Sequence, residues 1–292
     1  MSSMKEFISH VSAARYWGVP YLEGIEATLP AGARRGEAAR EITVFKPGQR
    51  YARKGCIVHL CESSLPKDAV VERKGQCIAS PPFVFLQLAT QWDLLHLILL
   101  GLQMGSHPPG KPHKTKAGVR RLEAFLEKTD GHRGHKRAVR ALKYVANGSN
   151  SIMESLTYMM LSLPHSLGGY GLGKPLLNHG IPLGSAAQKR LGQKWCFVDL
   201  YYEDARLAVE YDSFLLHSTP EAQSRDMMRA SALEAQGVQT LRFGTYQLYN
   251  KEACEEFAHN LAARIGKQIR IRTAKFPSAH DALRALLPQR PL

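Results

Sequence analysis

The sequence predicts two domains, an α+β domain followed by an α/β domain. The chain has 292 residues, 44% of them hydrophobic, which exceeds the usual size of one domain and suffices for two cores. Turn-forming residues concentrate between Ser106 and Pro112, directly after an apolar helical pattern. We therefore place a boundary near residue 110. Short strand patterns dominate before it, and helix and strand patterns alternate after it.

The amino-terminal domain, residues 1–110, is predicted to combine short strands with short helices. Runs rich in β-branched residues and bounded by turn formers predict the strands, and apolar runs that follow turn formers predict the helices. The expected strands are residues 42–45, 56–61 and 70–73, and the expected helices lie within residues 9–20, 83–89 and 93–103. This mixture predicts the α+β class.

Positive charge concentrates in residues 111–148, which we interpret as a basic helical connector. The whole chain carries a formal net charge of +14, and such a balance favours a polyanionic partner, since Lys and Arg neutralise phosphates. Two helical patterns flank Thr129-Asp130-Gly131. The candidate DNA-contacting residues here are Lys114, Lys116, Arg120, Arg121, Arg133, Lys136, Arg137 and Arg140. A solvated helical face would show the same pattern. A membrane is not expected as partner, because these helices lack a broad apolar face.

Two strands of a hairpin are predicted at residues 195–202 and 206–211, around the polar turn Glu203-Asp204-Ala205. A turn centred there pairs residues whose numbers sum to 409, which sets Asp199 opposite Glu210. Asp212 points to the same side by alternation. Facing carboxylates repel, so they call for a cation, and hard oxygen ligands suit Mg²⁺ or Mn²⁺. The alternative is that these acids face solvent.

Helices are predicted on both sides of the hairpin in the chain. Ser151 opens a helix that places Glu154 near its start. After the hairpin, Pro220 begins a helical pattern that extends to about residue 236 and is followed by Gly237 and a strand pattern at residues 238–243. The order is therefore helix, two antiparallel strands, helix, strand.

This order and its acids resemble the restriction-endonuclease-like PD-(D/E)xK superfamily, in particular the branch similar to very-short-patch repair endonucleases. The resemblance covers residues 149–292 and implies an α/β domain with a central mixed sheet flanked by helices. It departs from the family in two places. Ser213 stands where Gly is usual, and no Lys follows Glu210 at the position that names the superfamily.

The resemblance also implies roles for individual residues. The metal ligands would be Glu154, Asp199 and Glu210, which with Asp212 and His217 form the catalytic set. Proton transfer falls to His217, since an imidazole titrates near neutral pH. Asp226 and Arg229 would support the site or contact phosphate. A hydrogen-bonded loop residue remains the alternative for His217, and an intrahelical ion pair remains the alternative for Arg229.

The amino-terminal half resembles AbiEi-type antitoxins and regulators. The resemblance rests on residues 10–20, on Val58-His59-Leu60, on Leu65-Pro66 with Asp68, and on Ile78-Ala79-Ser80-Pro81 ahead of an apolar helix. The helix-turn-helix that would begin such a regulator is shortened or absent in this sequence. The implied partners include a protein encoded in the same operon.

Two functions follow as expectations. The first is a metal-dependent DNA endonuclease or nickase with Mg²⁺ or Mn²⁺ as cofactor, acting in mobile-element defence or DNA repair. The second is a catalytically inactive nuclease-fold regulator or antitoxin that only binds DNA. A homodimer is open under either function. A cytoplasmic location is expected, because the most apolar run, residues 94–102, is too short to cross a bilayer and the five cysteines form no disulfide or zinc pattern.

Overall fold

The structure is a computed structural model that describes residues 4–30, 39–212 and 220–289. The chain forms two compact units. The first comprises Met1–Ser106 and Thr115–Asn147, and the second comprises His107–Lys114 and Gly148–Leu292. Each unit contains one mixed sheet and several helices. Within the described ranges, no helix is both long enough and apolar enough to span a bilayer.

The sheet of the first unit has five strands in the order β3-β2-β1-β5-β4. Its strands are β1 (Glu6–Ile8), β2 (Arg40–Val44), β3 (Cys56–Leu60), β4 (Val70–Arg73) and β5 (Gln76–Ala79). The β1/β2 and β4/β5 pairs are antiparallel, whereas β2/β3 and β1/β5 are parallel. The short β1 is therefore the centre of the sheet, and two of its three residues, Phe7 and Ile8, are buried.

Six α-helices accompany this sheet in the part of the first unit that the structure describes. They are α1 (His10–Tyr16), α2 (Leu22–Thr28), α3 (Pro81–Leu88), α4 (Leu94–Met104), α5 (Val119–Leu126) and α6 (His135–Leu142). Every residue of α3 is buried, so this helix forms the centre of the core. Asp93 fixes the start of α4, because its carboxylate accepts a hydrogen bond from the backbone N–H of His96 at 3.1 Å.

The predicted connector differs from the observed division into units. Its two helices, α5 and α6, belong to the first unit because they bury apolar side chains there, among them Leu122 and Phe125. The Arg137 guanidinium also donates to the carbonyl oxygens of Ala89 at 3.0 Å and Trp92 at 2.8 Å. Residues 115–147 of the basic segment therefore belong to the first unit, whereas residues 111–114 and 148 belong to the second.

The sheet of the second unit has four strands in the order β6-β7-β8-β9. The strands are β6 (Leu176–Pro182), β7 (Trp195–Tyr202), β8 (Leu207–Asp212) and β9 (Gln239–Gly244). The β6/β7 and β7/β8 pairs are antiparallel, and the β8/β9 pair is parallel. The accompanying helices are α7 (Ile152–Ser162), α8 (Ser185–Leu191), α9 (Pro220–Glu234), α10 (Thr245–Tyr249), α11 (Lys251–Arg264) and α12 (Phe276–Arg284). Short 3₁₀ turns occur at Pro47–Gln49, Pro112–Lys114 and His165–Leu167.

The hairpin register agrees with the prediction. Leu200 pairs with Val209, Tyr201 with Ala208 and Tyr202 with Leu207, and each pair of numbers sums to 409. The mixed sheet with packed helices is also present, since α7 contacts β7 and β8, and α9 contacts β9. The second unit therefore has the helix, hairpin, helix, strand order that the sequence predicts, with β6 added as a fourth strand.

Candidate metal and phosphate site

Glu154 is held at the start of α7 by its own helix cap. The Ser151 hydroxyl accepts the backbone N–H of Glu154 at 3.1 Å, as the sequence predicts for a helix beginning here. The Glu154 carboxylate in turn accepts the backbone N–H of Asn150 and the side-chain amide of Asn178, both at 2.8 Å. Only 7% of Glu154 is exposed. These contacts fix an acidic group in a largely dry position.

Asn178 is a site residue that the sequence did not indicate. It lies in β6, a strand that the sequence analysis did not predict, and its backbone is left-handed with φ +45°. Its buried amide bridges Glu154 and the carbonyl oxygen of Gly148, which accepts at 2.6 Å. Gly148 itself has φ +109°, and a Cβ there would lie 2.6 Å from the Leu177 carbonyl oxygen. The signal in the sequence that could have indicated this residue is an Asn that directly follows two apolar residues.

Asp199 and Glu210 lie where the backbone pairing between β7 and β8 ends and side-chain hydrogen bonds replace it. The next pair in register after Leu200 and Val209 would be Asp199 and Glu210. Instead of continuing the backbone pairing, the Asp199 carboxylate accepts the backbone N–H of Tyr211 at 2.8 Å. The backbone N–H of Asp199 is hydrogen-bonded to Glu210. The two acids are therefore interlocked across adjacent strands.

The three acids perturb one another electrostatically. Burial, and after it the charge of Asp199, raises the pKa of Glu154 to about 7. Burial and the charge of Asp199 also raise the pKa of Glu210 to about 8, against the lowering effect of Arg229. Burial raises the pKa of Asp199, although the Tyr211 N–H and Arg229 oppose the rise. Clustered buried carboxylates of this kind are stabilised by a cation.

The donor set suits a hard divalent cation, but the three carboxylates are not drawn tightly together. In the described part of the chain, their oxygens do not form a group within 4.8 Å of one another. Mg²⁺ usually retains several waters and takes one or two protein carboxylates. Asp199 and Glu210 are the residues that would hold such an ion, and the Glu154 carboxylate would add negative charge beside it.

Arg229 contributes positive charge from α9. Its Nη2 lies 3.8 Å from Glu210 Oε1 and donates to the Phe197 carbonyl oxygen at 3.0 Å. Arg229 lines a cavity of about 370 Å³ with Asn178 and Asp199, and a second of about 250 Å³ with Glu210 and Asp212. A guanidinium between two open cavities beside acids is placed to contact a phosphate.

Asp212 is engaged by a strand neighbour. Its carboxylate lies 2.9 Å from Arg242 Nη1, in the parallel strand β9. The predicted alternation places Asp212 in the cavity that Glu210 and Arg229 also line. Its charge is therefore partly neutralised inside the protein. His217, the predicted proton-transfer residue, lies outside the described residues.

The predicted DNA-contacting residues of the basic segment are mostly exposed. Arg120 and Arg121 lie on α5, and Lys136, Arg137 and Arg140 lie on α6. Exposed side chains are Lys114, Arg120, Arg121, Arg133, Lys136, Arg137 and Arg140, whereas Lys116 is half-buried. The Arg137 guanidinium donates hydrogen bonds to two carbonyl oxygens of its own unit. Arg121 also donates to the Lys116 carbonyl oxygen at 3.4 Å.

All five cysteines are free thiols.

The chain matches no family model, no curated protein and no solved structure.

Proposed function

We propose that the second unit is a metal-dependent phosphodiesterase acting on DNA, as an endonuclease or nickase. The observation that carries the proposal is the group Glu154, Asp199 and Glu210. A helix start and two neighbouring strands bring the buried Glu154 and the half-buried Asp199 and Glu210 into electrostatic contact, and the pKa values of Glu154 and Glu210 rise to about 7 and about 8. Such perturbed, interacting groups are typical of functional sites.

A bound Mg²⁺ or Mn²⁺ would lower the pKa of its water and neutralise charge that develops on the phosphate. The protein residues would supply the rest. Asp199 and Glu210 hold the cation, and the Tyr211 N–H keeps the Asp199 carboxylate oriented. Asn178 orients Glu154. Arg229 binds a non-bridging phosphate oxygen, since its guanidinium lines both cavities beside the acids.

The choice of DNA as substrate rests on charge and on the resemblance. A net charge of +14 favours a polyanion. The order of α7, the β7/β8 hairpin, α9 and β9 supports the likeness to the PD-(D/E)xK superfamily. The missing strand Lys has a substitute in this proposal, because Arg229 brings a fixed positive charge within 3.8 Å of Glu210.

A second function is favoured by the internal ion pairs. Arg229 faces Glu210 and Arg242 faces Asp212, so the protein itself supplies cations to two of the acids. A nuclease-fold unit that has lost activity and serves as a DNA-binding regulator or antitoxin would need no metal beyond these pairs. The antitoxin-like first half agrees with this alternative, as does a partner protein from the same operon.

Cleavage of supercoiled plasmid separates the two functions. The wild type, Asp199→Asn and Glu210→Gln are compared with Mg²⁺, with Mn²⁺ and with chelator, and Glu203→Gln serves as control because Glu203 is exposed in the hairpin turn. Metal-dependent nicking or linearisation that Glu203→Gln retains and both site variants lose supports the nuclease. Salt-sensitive plasmid binding without cleavage by any form supports the regulator.

A further inference from the structure

A second group of titratable side chains lies in the first unit, away from the acids of the proposed nuclease site in the sequence. It consists of His10 at the start of α1, Glu41 in β2 and His59 in β3. One ligand atom from each lies within 4.8 Å of the other two. Among the residues that the structure describes, it is the one group of three or more His, Cys, Asp or Glu side chains whose ligand atoms lie this close together.

The group is buried and preoriented. Glu41 is fully buried, and the exposed fractions of His10 and of the His59 side chain are 6% and 19%. One Glu41 oxygen lies 2.6 Å from His59 Nε2, and the other accepts the Val11 backbone N–H at 3.2 Å. His10 Nδ1 lies 3.0 Å from the Ser9 hydroxyl. Outer contacts of this kind fix the rotation of metal ligands.

The stacking of the two imidazoles is hard to explain as core packing alone. Their ring centroids are 3.7 Å apart with an interplanar angle of 25°. The stacking brings a ligand nitrogen of each imidazole within 4.8 Å of the other and of a Glu41 oxygen. His10 also adopts φ +48°, a backbone conformation that costs free energy for a non-glycine residue. Strain of this type clusters at functional sites.

The group is also accessible. His10 and His59 line a cavity of about 570 Å³ in the first unit, which Arg50, Gln87 and Arg133 line as well. An ion could therefore reach the histidines from solvent. Coordination positions that the protein does not fill would face the cavity.

We infer that His10, Glu41 and His59 bind a divalent transition-metal ion of the Zn²⁺ class. Two imidazole nitrogens and one carboxylate oxygen are a ligand set that Zn²⁺ takes when it keeps an open position, whereas Mg²⁺ prefers oxygen alone. Bonds of about 2.1 Å place tetrahedral ligands about 3.4 Å apart. The 2.6 Å contact between His59 Nε2 and Glu41 would therefore open slightly on binding, and the His10 ligand atom already lies within 4.8 Å of the other two.

Zinc binding to the whole 292-residue chain tests this inference. Metal-free wild type, His59→Gln, His132→Gln and Glu210→Gln are titrated with Zn²⁺ by calorimetry, and circular dichroism checks that each is folded. Gln retains a hydrogen-bonding group beside Glu41. His132 lines the same cavity but bonds to the Ser64 carbonyl oxygen, so it is the matched control.

We expect one tight equivalent of Zn²⁺ in the wild type, His132→Gln and Glu210→Gln, and an affinity at least about tenfold lower in His59→Gln. Co²⁺ should give the visible absorption of a site with four or five ligands in the same proteins, and His59→Gln should lose it. Folded wild type that binds no Zn²⁺, or His59→Gln that binds as tightly as wild type, would overturn the inference. Loss in Glu210→Gln instead would assign the zinc to the second unit.

Discussion

The raised pKa of Glu210 predicts that this carboxylate destabilises the metal-free protein at neutral and alkaline pH. In the folded state its pKa is about 8, well above the ordinary value of 4.5. Between these values the folded protein binds more protons than the unfolded chain, so the free energy of unfolding falls as the pH rises. The neutral, nearly isosteric Glu210→Gln removes this dependence. The variant should therefore be more stable than the wild type above about pH 8, and the difference should shrink toward pH 4.5.

The size of the effect follows from the same values. One pKa unit corresponds to about 1.4 kcal/mol, so the rise from 4.5 to about 8 sets a ceiling of about 5 kcal/mol. The neighbouring Arg229 guanidinium and solvent relaxation reduce it, and we expect about 1–2 kcal/mol. For a unit of this size, that corresponds to about 2–8 °C in melting temperature.

Differential scanning calorimetry across this pH range, with chelator present, measures the difference. Glu203→Gln is the control, because the same chemical change at an exposed turn should leave the melting temperature near that of the wild type at every pH. The electrostatic reasoning fails if Glu210→Gln is less stable than the wild type at high pH, or if its advantage does not change with pH.

Three further outcomes are expected. Gly148→Ala should destabilise at least twice as much as Gly266→Ala in urea unfolding, because both positions have positive φ but only the Gly148 Cβ would meet a backbone oxygen, at 2.6 Å. Asn178→Ala should cost about 1–3 kcal/mol, since it strips the buried Glu154 carboxylate of an amide donor; an unchanged unfolding midpoint would contradict this. Burial lowers the pKa of His280, so its stabilising contribution is complete above about pH 6.5 and is lost as the pH falls; His280→Gln should therefore show a smaller drop in melting temperature on acidification than the wild type.

The local signals in the sequence were sufficient for the hairpin and for the start of α7. The polar turn between two apolar runs fixed the register of Leu200 with Val209, because side chains alternate along a strand and a turn of known position allows one pairing. Ser151 marked the start of α7, because a hydroxyl at this position accepts the free N–H groups of the first turn.

Among the elements that were not predicted, the strands β1 and β6 depend on contacts distant in sequence. β1 has three residues, too few for a periodic pattern, and is stabilised by β2 and β5. β6 contains Gly180 and a left-handed Asn178, both uncommon in strands, and its pairing with β7 determines its conformation. The same limit applies to the site. Acids could be placed by register, but their partners Asn178 and Arg242 could not.

The His10, Glu41 and His59 group shows the limit most clearly. No pair of these residues has a spacing typical of a metal motif, since 31 and 18 positions separate them. They meet because β2, which carries Glu41, pairs with β3, which carries His59, and also with β1, which is followed directly by α1 and His10. Only the sheet order brings the histidines into contact.

The central claim is that Asp199 and Glu210 bind a divalent cation, and calorimetric titration with Mn²⁺ at about pH 6 and about pH 8 tests it most directly. Carboxylates must lose their protons to bind metal, so the wild type should bind at least about tenfold more tightly at the higher pH and release protons on binding. Glu203→Gln should behave like the wild type, while Asp199→Asn and Glu210→Gln should lose this binding. Equal Mn²⁺ affinity in all four proteins, or no binding by the folded wild type at either pH, would contradict the account.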